Sequence, residues 1–163
     1  MLIRLKNKDT LKIDEFSFKC CIGRKGLKTK KFEGDFGTPK GTYLLKKLYY
    51  RSDRFKKIET LLPKIKIKKN MGWCNDPNHR FYNSLIKTSK KVRHEKMYRK
   101  DGKYDLVIVI DYNLNKPVPF KGSAIFIHLT QNYKPTAGCI ALCKNDMLVL
   151  LKIINKKTKI NIY

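Results

Sequence analysis

Acidic residues are scarce: 13 Asp and Glu stand against 38 Lys and Arg, leaving a formal net charge of +25 over 163 residues. Such a balance draws a protein toward nucleic acid, an anionic membrane or another anionic polymer. Arginine is scarce too. Arg4, Arg24, Arg51, Arg54, Arg80, Arg93 and Arg99 make up seven of the 38 basic residues, and the other 31 are lysine. Readers of base sequence lean on the bidentate, stacking guanidinium, so no specific nucleic-acid partner is expected. The lysine runs at 6–12, 28–31, 64–69, 87–91 and 156–159 are spread along the chain, as solvated faces are, or a basic surface that concentrates an anionic substrate. Long apolar runs are also missing. Residues 106–110 and 147–151 fall far short of the roughly 20 needed to span a bilayer, so no transmembrane segment is expected. The first ten residues, MLIRLKNKDT, carry charges where a secretory signal has its apolar stretch, so no export signal is expected within them. No internal repeat and no Gly/Ser/Pro-rich linker divides the sequence, which points to one domain over residues 1–163. A hydrophobic content of 42% with 11% aromatics excludes a disordered polar chain and supplies a core.

The five cysteines, Cys20, Cys21, Cys74, Cys139 and Cys143, form an odd set, so at least one thiol stays free. Cys20 and Cys21 are neighbours on an expected strand and point to opposite faces. A zinc site would need paired ligand knuckles. Cys74 with His79, or Cys139 with Cys143, does not provide them, so neither metal nor cofactor is expected. One cysteine with a chemical role, and the rest as small buried hydrophobes, is the economical assignment.

Apolar and aromatic runs predict strands over 16–22, 42–50, 104–112 and 123–129, with a short closing strand over 158–162. Asn145 can cap a helix over 146–155, with Asp146 in its first turn and lysines toward its end. Residues 63–97 are broken by Pro63, Gly72, Asp76-Pro77 and Asn83 and read as an irregular functional loop or lid. The fold class is therefore mainly β, with one or two short helices.

Chemistry concentrates at two points. His128 lies near the end of an apolar strand, and Cys139 follows 11 residues later in the turn Thr136-Ala137-Gly138-Cys139. A thiol attacks as thiolate, and a neighbouring imidazole lowers its pKa and holds the ion pair. Gly138 permits a tight turn that bares N–H groups beside the sulfur, where an oxyanion would form.

These segments, Gly122-Ser-Ala-Ile-Phe-Ile-His128 and Thr136-Ala-Gly-Cys-Ile-Ala-Leu142, resemble the catalytic core of the L,D-transpeptidase (YkuD-type) family. Gly23-Arg-Lys-Gly26, Glu33-Gly-Asp-Phe-Gly-Thr-Pro-Lys-Gly41, Gly72-Trp-Cys-Asn-Asp-Pro77, Tyr82-Asn83, His94-Glu95 and Tyr104-Asp-Leu-Val107 follow the order of that family's compact Thr-x-Gly-Cys branch. The resemblance is strongest over residues 16–162.

The resemblance implies a β-sandwich or partly closed barrel with the cysteine in a cleft, and a peptidoglycan stem peptide as substrate. Cys139 would be the nucleophile and His128 the general base, oriented by the Leu129 carbonyl. The Gly138 and Cys139 N–H groups would hold the oxyanion, and Thr136 would brace the loop. The thioester would pass to a second stem, forming a 3→3 cross-link or exchanging the terminal D-residue. Hydrolysis instead would make an L,D-carboxypeptidase, or an enzyme that cleaves peptidoglycan–protein links. Arg24, Trp73 and Asp76 are candidate substrate contacts, with Trp73 equally able to serve as a loop anchor. His94 could pair with Glu95 on a surface turn, and His79 beside Arg80 is expected to be exposed and idle.

Two residues depart from the commoner Ser/Thr-His-Gly-Cys-x-Arg/Asn motif: Ala137 and Ala141. They leave the acyl acceptor open, as amine, water or protein lysine, and allow a pseudoenzyme. A non-catalytic basic protein that binds polyanions is the competing class. A monomer is expected, and the family resemblance implies a periplasmic or wall-associated protein. In that oxidising setting Cys20 or Cys21 could pair with Cys74.

Overall fold

The computed structural model describes residues 1–29 and 32–163, so Lys30 and Lys31 of the basic run at 28–31 lie outside it. Among the described residues there are fourteen strands and one helix. The strands are β1 (Leu2–Lys6), β2 (Thr10–Ile13), β3 (Phe16–Cys21), β4 (Leu27–Lys28), β5 (Thr38–Pro39), β6 (Gly41–Tyr50), β7 (Lys64–Lys66), β8 (Met71–Cys74), β9 (Leu85–Lys87), β10 (His94–Lys96), β11 (Leu106–Ile110), β12 (Phe126–Leu129), β13 (Ile140–Leu142) and β14 (Lys159–Ile162). The helix, α1, spans Lys144–Ile153 between β13 and β14. The mainly β expectation holds.

Pairing runs β11-β12-β13-β3-β2-β1-β14-β6 and returns from β6 to β11, so eight strands form a barrel, with β7 added alongside β6. The seam between β13 and β3 is narrow, with only Ala141 opposite Cys21 and Leu142 opposite Cys20. Two joints are parallel, β1 with β14 and β12 with β13. β6 is long enough to serve both closing partners: Gly41 to Leu44 pair with β14, and Leu45 to Tyr50 with β11.

The run Leu106-Val-Ile-Val-Ile110 is apolar throughout because both of its faces are covered. Leu106, Ile108 and Ile110 point into the barrel beside Ile127 and Leu129 of β12. Met147, Leu150 and Leu151, spaced for one helical face, add α1 to the same interior. Val107, Val109 and Phe126 point outward into a second core with Trp73, Met97, Tyr104 and Cys139. That outer core is roofed by a three-stranded sheet, β10-β8-β9.

This small sheet corrects the expectation of an irregular lid over 63–97. Its strands are short and are joined by turns, so no periodicity was visible. Trp73 of β8 stacks edge-on against Phe126 at 5.0 Å and Tyr49 at 6.1 Å, each aromatic pair adding about 0.5–1.5 kcal/mol beyond area burial. The helix also starts earlier than expected. Cys143, not Asn145, is its N-cap residue and makes no side-chain cap hydrogen bond. Asp146 does fall in the first turn and Lys152 in the last. No helix among the described residues is long and apolar enough to cross a membrane. All five cysteines are free thiols, so neither pairing considered with Cys74 is present. Burial pushes the Cys20 thiol up to about 12.

Candidate active site

Strand alternation decides what faces the outer core. Phe126 and His128 are two residues apart on β12 and share its outer face, while Ile127 and Leu129 face the barrel interior. The parallel register with β13 sets His128 beside Ala141 and Ile127 beside Ile140, which brings Cys139 to the level of Phe126. The Phe126 N–H donates to Cys139 Sγ at 3.4 Å, and the thiol donates to the Ala124 carbonyl at 3.2 Å. Cys139 and His128 both face one open cavity of about 380 Å³.

His128 Nδ1 lies 2.9 Å from the Leu129 carbonyl. A carbonyl only accepts, so Nδ1 carries the proton and Nε2 is the basic nitrogen. The Tyr104 ring packs against the imidazole at 5.3 Å. Burial lowers the His128 pKa to about 4, helped by Arg99 and Lys103 and opposed by the Leu129 carbonyl. The imidazole is therefore uncharged near pH 7. This favours a neutral imidazole at rest over the charged partner of the expected thiolate–imidazolium pair.

The cysteine turn is held by side chains from three segments. Thr136 Oγ1 donates to the Cys139 carbonyl at 2.6 Å and accepts from the Gly138 N–H at 3.1 Å. Thr136 thus braces the turn. The Gly138 N–H, expected to face an oxyanion, is instead committed to that hydroxyl.

Fully buried Thr38 ties the turn from the other side. Its hydroxyl donates to the Gly138 carbonyl at 2.8 Å and accepts from the Gly23 N–H at 2.9 Å. A Cβ on Gly23 would come within 2.5 Å of the Phe36 carbonyl oxygen and 3.0 Å of the Gly138 Cα. Only glycine fits there, and Gly138 itself adopts φ 141°. The segments at 23–26 and 33–41 are therefore the scaffold of the cysteine turn.

The remaining candidates separate. Arg24 is exposed and stacks on Phe36 at 3.7 Å, outside the cavity lining. Trp73 is buried, and its indole N–H donates to Asn83 Oδ1 at 2.9 Å, which makes it an anchor of the loop. Asp76 lines a cavity of about 330 Å³ with Glu33 and Arg93. His79 is half-buried against Phe81, not exposed as expected. His94 does not pair with Glu95. Successive residues of β10 face opposite ways, and His94 Nδ1 bonds the Val92 carbonyl.

Glu95 takes the other side and lines the cavity that Cys139 and His128 face, with Tyr104, Arg99, Lys103 and Lys134. A second chamber of about 210 Å³ opens at Cys139 between Glu33, Glu95, Asn75 and Ser123. Glu33, Glu95, Ser123 and Tyr104 fall within the motifs read from the sequence but were not assigned to the site there. The legible signal was period-two alternation in His94-Glu95-Lys96, which puts only one of the two titratable neighbours in the site.

The family model for the L,D-transpeptidase catalytic domain, YkuD, matches residues 3–162. The chain belongs to this family. YkuD domains are L,D-transpeptidase-type domains that act on peptidoglycan and are generally related to the cell wall. No curated protein matches the sequence. The mainly β barrel and the extent of the YkuD match agree with the resemblance drawn from the motifs.

Proposed function

We propose that this YkuD domain is a cysteine acyltransferase working on peptidoglycan stem peptides at the cell wall. The observation that carries this is the shared cavity: Cys139 and His128 face it together, and the Leu129 carbonyl fixes which imidazole nitrogen is basic.

Nε2 of His128 accepts the thiol proton as Sγ attacks the carbonyl that precedes the terminal D-residue. The tetrahedral oxyanion collapses, His128 returns the proton to the departing amine, and the D-residue leaves with a thioester on Cys139. With the Gly138 N–H committed to Thr136, the Cys139 N–H is the backbone donor assigned to the developing oxyanion. Arg99, Lys103 and Lys134 give this cavity positive potential that suits the carboxylates of a stem peptide. An acceptor then resolves the thioester.

The test is a stem tetrapeptide incubated with the protein and followed by mass spectrometry. The expected result is an adduct on Cys139 with release of the D-amino acid, lost in Cys139→Ala and His128→Ala variants that still fold. A cross-linked dimer identifies an amine acceptor, and a trimmed monomer identifies water. Release that survives Cys139→Ala overturns the mechanism.

A further inference from the structure

Arginine is sparse in this chain, seven residues against 31 lysines, yet three of the seven, Arg51, Arg54 and Arg99, meet at one loop. Lysine cannot supply a rigid fork of planar donors, and each of the three uses two or more of its nitrogens. The loop, Arg99 to Asp105, leads from β10 into β11. Its exposed residues Lys100, Asp101 and Lys103 belong to neither core.

Arg51 follows β6 at the joint with β11, and its backbone N–H donates to the Asp105 carbonyl at 2.9 Å. Its guanidinium is buried, the residue 4% exposed. Nη1 donates to the Arg99 carbonyl at 2.6 Å, and Nε and Nη2 hold the two Asp53 oxygens at 2.8 and 2.7 Å. The group lies on the Tyr98 ring at 3.5 Å. Arg54 grips the far end, with Nη1 on both Asp105 oxygens at 2.7 and 2.8 Å and Nη2 on the Lys100 carbonyl at 3.3 Å. A connecting segment with so little apolar burial is ordinarily mobile. Here a buried charge, costly unless fully paired, holds it still.

What the loop delivers lies at the imidazole. The Tyr104 ring packs against His128 at 5.3 Å and against Phe126, on the same strand face, at 6.0 Å. The Lys103 carbonyl accepts from the Leu129 N–H at 2.9 Å, and Leu129 is the residue whose own carbonyl lies against Nδ1. A ring packed on the imidazole and the placement of its hydrogen-bond acceptor both trace to this one loop.

Resting on His128 as the proton acceptor of the function above, we propose that Arg51 is a positioning residue: its guanidinium fixes the loop at 99–105 and, through Tyr104 and the Lys103 carbonyl, the orientation of the His128 imidazole. It touches neither substrate nor sulfur. Arg51→Lys keeps the charge and loses the fork, so it separates geometry from potential.

The experiment makes Arg51→Lys, Arg51→Ala and Asp53→Asn. It reads three quantities: the rate of Cys139 thioester formation from a saturating stem tetrapeptide, the His128 titration by NMR, and the urea midpoint. In Arg51→Lys the rate is expected to fall about a hundredfold, the effect of a misplacement of about 1 Å, with KM little changed. The titration, at about 4 in the intact protein, is expected to move up toward 6.5 as a loosened Tyr104 admits water to the ring. The charged groups that bear on it, Arg99, Lys103 and Asp101 from the loop and Glu95 and Lys134 in the cavity wall, are retained in every variant. Added guanidinium is expected to restore part of the rate in Arg51→Ala. Asp53→Asn, at the exposed end of the pair, is expected to shift rate and titration in the same direction by less, and it decides the matter should both Arg51 variants fail to fold. A lowered midpoint with rate and titration unchanged makes the clamp merely structural and overturns the proposal. An intact protein that forms no thioester removes the parent function, and the titration alone then decides this one.

Discussion

Replacing Thr38 by valine keeps the shape of the side chain and deletes one oxygen. In the structure that oxygen accepts from the Gly23 N–H and donates to the Gly138 carbonyl, all of it beneath a fully buried side chain. Valine offers neither partner a replacement, and a Cβ on Gly23 would already touch backbone on three sides, so the segment cannot shift to find one. Leaving a buried donor and a buried acceptor unpaired costs about 1–3 kcal/mol each, about 2–6 kcal/mol together. This is a large share of the roughly 5–15 kcal/mol that holds a domain of this size. With a urea slope of about 2 kcal/mol per molar, a loss of about 3 kcal/mol moves the midpoint down by about 1.5 M with the slope unchanged. Thr38→Ser is the control: it keeps the hydroxyl and loses a methyl, at about 1 kcal/mol. Serine variants more stable than valine variants are the expected order, together with faster alkylation of Cys139 in Thr38→Val as the turn loosens. The reverse order, with serine the worse, would mean that Thr38 acts by packing and that the hydrogen-bonded strut is wrong.

Two other perturbations test the frame around the site. Asn83, in the left-handed region at φ 56°, accepts from the Trp73 indole and the Ala124 N–H and donates to the Tyr112 and Asn113 carbonyls. Asn83→Ala is expected to cost at least about 3 kcal/mol by denaturant titration, since several buried partners are orphaned at once; a loss under about 1 kcal/mol would show that they find new partners. His128, at about 4 in the folded chain against an ordinary 6.5, binds its proton more readily unfolded than folded. Its contribution is therefore intact above about pH 6.5 and is lost as pH falls toward 4, about 3 kcal/mol in all. The denaturation midpoint of His128→Gln is expected to decline less over that window, and parallel curves for the two proteins would refute the assignment.

What the sequence made legible follows from how each segment is buried. Residues 106–110 announced a strand because two cores cover both faces, and Phe126 to Leu129 did so for the same reason. The hairpin of β1 and β2 was missed. Its outward residues Arg4, Lys6 and Lys12 read only as part of the basic background, although Ile3, Leu5, Leu11 and Ile13 alternate with them and are buried. The roof sheet was missed because β8, β9 and β10 are three or four residues each and find partners across intervening turns, which leaves no local period. At the site, Cys139, His128 and Thr136 were readable as motif residues. The cost of placing the Gly138 N–H against Thr136 was not, since a hydrogen bond two residues back in a turn depends on φ and ψ. Glu95 was passed over because its neighbour His94 is the more conspicuous residue type.

The alternation of β12 has a consequence for how reactivity arises during folding. A slip of one residue against β11 would turn the imidazole into the aliphatic interior and throw Ile127 out toward the thiol. The chain cannot hold that arrangement and a sealed barrel at once. Proton acceptor and sulfur therefore meet only after the ring has closed in its correct register, and a half-made chain, in a reaction whose products are covalent, stays chemically silent.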